Sequence, residues 1–217
     1  MISFVSYGLG TVLKKRFKSA LFNPVLISVT LIIAFLTVFD ISYESYSRGA
    51  EYISFMLTPA TICLAVPMYE QFELLKKNFR AVMTGIASGV ITSLLCILLM
   101  AVLFSLDHAS YVTFLPKSVT TAIGMGISEE LGGTVPLTVG IIIITGVLGN
   151  MFSEIICRIM RIKDPVAKGI AIGSASHVIG TSKAMEMGET EGAMSSLSTV
   201  VSGLVTVAGA AVFAGFL

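Results

Sequence analysis

The sequence predicts an all-α polytopic membrane protein with about seven to eight transmembrane elements, arranged as two inverted-topology repeats with discontinuous helices. Three observations predict it. Of the 217 residues, 55% are hydrophobic and only 12% are charged, against roughly 25% charged in soluble domains, and the mean hydropathy is +0.92. Several apolar runs approach the ~20 residues that span a hydrocarbon core of ~30 Å. Two polar, glycine-rich stretches interrupt those runs: residues 117–133 (KSVTTAIGMGISEELGG) and 173–186 (GSASHVIGTSKAME). Irregular backbone is tolerated at membrane depth only where protein buries it or water lines it.

The same composition excludes several classes. A net charge of +1 leaves no basic field for nucleic acid and no acidic tail. Cys63, Cys96 and Cys157 lie far apart in apolar segments, a spacing that suits neither a disulfide framework nor a zinc site. They read as small packing residues. No basic segment precedes the apolar residues 1–13 and no small-residue cleavage site follows, so they are expected to stay in the mature chain.

In chain order, residues 1–13 cover roughly 20 Å at 1.5 Å per residue, too short for a full crossing. Lys14, Lys15, Arg16 and Lys18 follow and mark the cytoplasmic side. Residues 21–39 form the first span, opened by Asn23 and Pro24. Asp40 to Glu51 form an outer loop. Residues 52–69 form a second crossing, broken at Pro59 and again at Pro67, because proline removes a helix donor and constrains the residue before it. Lys76, Lys77 and Arg80 return the chain to the inside. Residues 81–106 form a third span, with Gly85, Ser88 and Gly89 as a small face for close helix contact. The polar stretch 117–133 follows, ended by Gly132 and Gly133. Residues 135–160 form the next span, followed by Arg158, Arg161, Lys163 and Lys168. Residues 167–187 read as another faulted crossing that brings Glu186, Glu189 and Glu191 to the outer end. Residues 193–217 close the chain as an apolar helix.

A shift of roughly 112–115 residues aligns these features, which is the kind of internal period to seek first. It sets one integral membrane domain, 1–217, with repeat one at 1–106 and repeat two at 113–217. Positive-inside places the clusters at 14–18, 76–80 and 158–168 on one side. That parity favours a re-entrant or half-membrane element at 117–133. Inverted repeats whose broken helices meet near the midplane are the architecture of many secondary transporters.

The chemistry-bearing residues leave alternatives open. Ser118, Thr120, Thr121 and Ser128 offer hydroxyls, and with Lys117 and a half-helix N-terminus they suit a small carboxylate. Against this, Lys117 can snorkel to the interface and the hydroxyls can bond back into their own helix. Glu129 and Glu130 are either solvated or, if buried, able to carry a coupling proton. His177 is a proton carrier or a structural hydrogen-bond partner. The chain has two histidines and lacks H-E-x-x-H and G-x-S-x-G, so an enzyme is not expected.

NPVL (23–26), LTPATICLAVPMY (57–69), PKSVTTAIGMGIS (116–128), ELGGTVP (130–136), TGVLG (145–149) and GSASHVIGTSKAMEMGETEGAMSSL (173–197) together resemble the LrgB/CidB family over nearly the whole chain. KSVTT and ASHxxGT are specific to that family. The resemblance implies a bacterial plasma (inner) membrane protein with a fold like the bile-acid-symporter and cation–proton-antiporter group. It implies either of two activities. Bacterial members are antiholin-like and are thought to modulate murein hydrolases and lysis with a small holin-like partner of the LrgA/CidA type. Plastid relatives look like glycolate/glycerate transporters, and bacterial relatives have been linked to pyruvate uptake. Lys117, Ser118, Thr120, Thr121, Ser176, His177, Gly180 and Thr181 take the family's signature places. Ala122 stands where the family usually has proline, which softens the kink expected there.

The expectation is therefore a proton-coupled secondary transporter of small hydroxy- or keto-monocarboxylates such as glycolate, pyruvate or lactate. The alternative is an antiholin-like regulator. The substrate site is expected from the eight signature residues, with Thr58 and Thr61 completing it. His177, Glu129 and Glu186 are the coupling candidates. A homo-oligomer is expected, with no cofactor, metal or nucleic acid.

Overall fold

The computed structural model describes residues 2–17, 24–56, 59, 69 and 72–217. Thr58, Thr61 and Pro67 lie outside the described residues, and Pro59 is described only by itself, as exposed. Among the described residues there are nine helices and no strand. The chain divides into two compact units, Met1–Cys63 and Leu64–Leu217.

The first unit holds α1 (Ile2–Phe17), α2 (Pro24–Val38) and α3 (Tyr43–Phe55). α1 runs beyond the expected short element and ends on Lys14, Lys15 and Arg16, cations that complement a helix C-terminus. It packs on α2, and Gly10 makes that approach possible: a Cβ there would lie 2.8 Å from the Pro24 Cα. The outer loop expected at Asp40–Glu51 is instead mostly helix. Asp40 turns the chain with φ 49. Ser42 then caps α3, its Oγ accepting from the Ser45 N–H at 3.4 Å, as serine does at helix starts. Ser3 Oγ and Tyr46 OH, 3.1 Å apart, tie α3 to α1.

The second unit is built on three helices long and apolar enough to cross a bilayer: Phe79–Leu103, Val135–Ile159 and Glu189–Ala214. They lie in α4 (Phe72–Leu103), α7 (Val135–Ile159) and α9 (Glu189–Ala214), close to the expected spans. Their outward faces carry exposed Leu95, Leu99, Ile144, Ile156, Leu204 and Val212, a distribution suited to lipid rather than water.

Between α4 and α7 the chain makes α5 (His108–Phe114) and α6 (Thr121–Glu130). At 1.5 Å per residue they are roughly 10 and 15 Å long, half a bilayer or less. They form a hairpin that begins and ends at one end of the unit. Thr113 Oγ1, on α5, accepts from the Thr134 N–H at 2.8 Å. Ser128, on α6, accepts from Thr138 Oγ1 at 2.8 Å. Both arms are thus tied to the first turn of α7. Residues 117–133 thus supply the second arm of a short hairpin whose first arm is α5. Gly132 (φ 79) turns the chain out of α6, a conformation open to glycine. Gly133 lets the arms close, since a Cβ there would lie 2.6 Å from Ser128 Oγ.

The stretch expected as a second faulted crossing is not a crossing. α8 (Pro165–Met187) is interrupted at His177, which has φ 43 and ψ −144. In a straight helix Gly169 and Met185 would be ~24 Å apart. Yet a Cβ on Gly169 would lie 2.6 Å from the Glu191 carbonyl, and one on Gly192 would lie 2.8 Å from Met185 Cγ. Both arms therefore reach the same turn of α9, and α8 folds back at His177 as a second hairpin, with arms 165–176 and 178–187. Salt bridges at its open end agree: Lys168 on the first arm pairs with Glu191 of α9 at 3.6 Å, and Lys183 on the second arm pairs with Glu154 of α7 at 3.2 Å.

The two hairpins enter from opposite ends. Hairpin one opens at the end holding Leu103, Asp107 and Val135. Hairpin two opens at the end holding Arg158, Arg161 and Lys163. α9 starts at this basic end and finishes at the other, where Phe213 O accepts from Tyr111 OH at 2.9 Å. Glu186, Glu189 and Glu191 accordingly lie at the basic end, not the outer end predicted for them.

Candidate functional site at the hairpin tips

The tips of both hairpins converge on the middle of α7. Ile142 and Gly146 lie roughly 10 and 16 Å into that helix from Val135. His177 is almost fully buried and its Nε2–H donates to the Ile142 carbonyl at 3.0 Å. That bond fixes the tautomer, because a carbonyl only accepts. The Ile142 side chain abuts Gly124 in the first turn of α6. One residue therefore touches both tips.

Glycine clears the space for this meeting. A Cβ on Gly146 would lie 2.6 Å from His177 Cε1, and one on Gly149 would collide with Ser176 Oγ. Gly180 similarly faces Ser176 Cβ, at 2.5 Å from a Cβ position. These are close helix contacts of the kind small residues permit in membranes.

Histidine with positive φ is strained by about 1–3 kcal/mol and persists only where surroundings over-determine it. Here hydroxyls and an amide hold it. Thr181 Oγ1, fully buried, donates to the His177 carbonyl at 2.9 Å. Its proton being spent there, it accepts from Ser195 Oγ at 2.8 Å. Ser198 Oγ donates to the Ile170 carbonyl at 3.0 Å. Asn150 Nδ2 donates to the Ile179 carbonyl at 2.8 Å and to Ser182 Oγ at 2.9 Å. Helix interruptions free backbone groups that must find partners, and α7 and α9 supply them.

The tip of hairpin one faces this break with a charge. Lys117 is half-buried and donates from Nζ to Ser118 Oγ at 2.8 Å. It stands within electrostatic reach of His177. The ammonium has three protons, and Ser118 is its hydrogen-bond partner among the described residues. Thr120 is the N-cap residue of α6, and its hydroxyl makes no capping bond. The first N–H groups of that helix, beginning at Thr121, carry no side-chain cap and add partial positive charge.

Eight predicted site residues thus fall at or beside the two tips: Lys117, Ser118, Thr120, Thr121, Ser176, His177, Gly180 and Thr181. Two predicted coupling residues do not. Glu129 is exposed at the far end of α6, roughly 12 Å from the tip. Glu186 is exposed at the basic end, beside Lys183 at 3.4 Å. Residues not foreseen include Ser195, Ser198, Thr199, Asn150, Gly146 and Gly149. The excess of hydroxyls in α9 (Ser195, Ser196, Ser198, Thr199, Ser202) was the visible signal. Among the described residues no group of three or more His, Cys, Asp or Glu is placed to hold a metal.

An all-helical unit with three membrane-length helices and two opposed hairpins meeting over a buried histidine and a lysine belongs to the class of integral membrane proteins with a polar interior. The chain matches the LrgB-like family over residues 3–216, and it belongs to that family. It is 38% identical over 208 residues to the antiholin-like protein LrgB of Bacillus cereus strain B4264, covering 95% of this chain and 90% of the relative. The antiholin-like protein LrgB of Bacillus anthracis strain CDC 684 / NRRL 3495 gives the same values. No solved structure matches the chain.

Proposed function

We propose that this LrgB-family protein is a secondary transporter of small hydroxy- or keto-monocarboxylates, of the size of glycolate, pyruvate or lactate, coupled to protons through His177. The observation that carries the reading is Lys117 and the uncapped α6 N-terminus facing the break at His177, midway along otherwise apolar helices. Burying a charge and a strained histidine is costly, and packing alone gives no reason to keep both. A single cation beside free N–H groups and hydroxyls suits one carboxylate with a neighbouring hydroxyl or carbonyl.

In this reading the basic end faces the cytoplasm of a bacterial plasma membrane. Residues 108–159 and 165–214 are each a hairpin followed by a span, running in opposite directions, a pairing that differs from the repeats expected at 1–106 and 113–217. Broken elements meeting at the midplane of inverted units are how many transporters build a binding site. Chemistry on the substrate is not part of the reading.

Uptake of labelled glycolate, pyruvate and lactate into proteoliposomes, with and without a pH gradient, tests it. Saturable uptake whose KM Lys117→Met raises is expected. Uptake no greater than that of empty vesicles under both conditions overturns it.

A second reading has its own support, the antiholin-like names of the relatives. Here the protein regulates murein hydrolase activity and lysis with a small holin-like membrane partner. A scaffold of that kind needs outer surfaces but no polar interior, so Lys117→Ala and His177→Ala should leave lysis phenotypes unchanged. Loss of those phenotypes on either substitution excludes a pure scaffold.

A further inference from the structure

A cavity of about 780 Å³ lies between α4 and the first arm of α8. It starts at the basic end beside Ala81, Asp164 and Val166 and ends in mid-helix beside Cys96, Ser118 and Ala175. Its inner end is one hydrogen bond from Lys117, through Ser118 Oγ at 2.8 Å. Cys96 at that end is exposed and within electrostatic reach of Lys117. Ala175 lies two residues from the tip of hairpin two.

The wall is mostly apolar, with several hydroxyls and one thiol set along it. On α4, Gly85, Gly89, Thr92 and Cys96 follow the i, i+3 and i, i+4 spacing of one helix face, flanked by Ser88 and Ser93. Ser88 bonds back to the Gly85 carbonyl at 2.9 Å, as hydroxyls in apolar helices do. Thr92 and Ser93, deeper in the cavity, make no hydrogen bond within the described residues. Hydroxyls that face a roomy space with no partner among the described residues are sites for water. At ~30 Å³ per water molecule the cavity holds on the order of twenty waters.

We infer that this cavity is the aqueous vestibule through which a small monocarboxylate passes between the basic-end solution and Lys117. The ligand's identity rests on the transporter reading; the route does not. The vestibule is much larger than a three-carbon acid, so selection falls at its inner end. There the carboxylate accepts from the Lys117 ammonium while Ser118 keeps its own hydrogen bond to it.

The native Cys96 thiol reports on the route without any substitution. Right-side-out and inverted membrane vesicles are treated with membrane-impermeant methanethiosulfonates, one bearing a sulfonate and one a trimethylammonium group. Modified cysteines are mapped by mass spectrometry. Ile91→Cys, on the exposed face of α4 and outside the cavity lining, is the lipid-facing comparison. Cys96 should react at least tenfold faster than Ile91→Cys, and only from the face carrying the basic end. Lys117→Met should slow the anionic reagent relative to the cationic one. A Cys96 that reacts no faster than Ile91→Cys, or reacts only from the opposite face, overturns the vestibule. If Cys96 reacts from the basic-end face but saturating pyruvate, lactate and glycolate leave its rate unchanged, the vestibule stands and the monocarboxylate reading fails.

Discussion

Gly146→Ala probes the contact on which the site depends. The added methyl would lie 2.6 Å from His177 Cε1, 2.8 Å from Nε2 and 2.9 Å from Ile179 Cβ. None of these can retreat cheaply. The ring is buried and held by the 3.0 Å bond to the Ile142 carbonyl, and Ile179 belongs to the arm that Asn150 anchors. Overpacking of this kind costs about 1–3 kcal/mol. Pushing the ring away instead leaves a buried carbonyl without its donor, at a cost of about 1–3 kcal/mol. The two are alternative routes of relaxation, so a net loss of about 1–3 kcal/mol is expected. At 2–4 °C per kcal/mol for a chain of this size, that is a fall in Tm of roughly 2–12 °C. Gly140→Ala on the same helix is the control, since nothing lies within 4 Å of a Cβ there. It should be neutral or stabilising by up to about 1 kcal/mol, because alanine is the better helix former. Thermal unfolding of both variants in detergent, followed by a thiol-reactive or tryptophan-independent probe, decides the matter. A Gly146→Ala protein as stable as Gly140→Ala would refute the packing of the hairpin tip on α7.

Other substitutions test the remaining parts. Lys117→Met should raise the KM for uptake by roughly ten- to a hundred-fold, the worth of a charge-assisted hydrogen bond of about 1.5–3 kcal/mol, with little change in Tm; Lys117→Arg should restore part of it. Thr181→Val should lower stability by about 1–3 kcal/mol by leaving the His177 carbonyl and Ser195 hydroxyl unpaired. A double-mutant cycle with Ser195→Ala should then show coupling, whereas strict additivity would deny the network. Gly132→Ala, at φ 79, should cost about 1–2 kcal/mol from backbone strain alone, read by chemical denaturation. Lys183→Ala should cost under about 1 kcal/mol, because its partner Glu154 is half-exposed, whereas Glu191→Ala should cost more by stranding the mostly buried Lys168.

Long, strongly apolar helices were legible in the sequence. The expected boundary at Val135 coincides with the observed start of α7, where Thr134 and Pro136 begin the helix. Hairpin one was legible too, because glycines, hydroxyls and a lysine sit together in an apolar chain and because charge parity disfavoured a crossing. Hairpin two was not. Its fold-back occurs at a histidine, without proline or glycine at the turn, so apolar periodicity reads straight through it. Charge parity was silent as well: the last charged residue is Glu191, and residues 192–217 carry nothing that marks a side. The clue lay in Gly169 and Gly173, which let the first arm approach α9, in Gly180, which lets the second arm close on the first, and in Lys183 and Glu186, which fit the basic end better than a far end. α3 was missed for a different reason. Its mixed tyrosine, serine and acidic composition resembles a loop until Ser42 is recognised as its cap.

The distance between the two arms of α8 tests the fold-back that creates the site. Spin labels at Ala167→Cys and Met185→Cys, both exposed, would be separated by the ~27 Å backbone length of eighteen residues if α8 were one straight crossing. The hairpin predicts neighbouring helices, with axes about 8–10 Å apart, and therefore a short, narrow distance distribution from pulsed electron resonance. A distribution centred near the length of a straight helix would contradict the hairpin, and with it the meeting of Lys117 and His177.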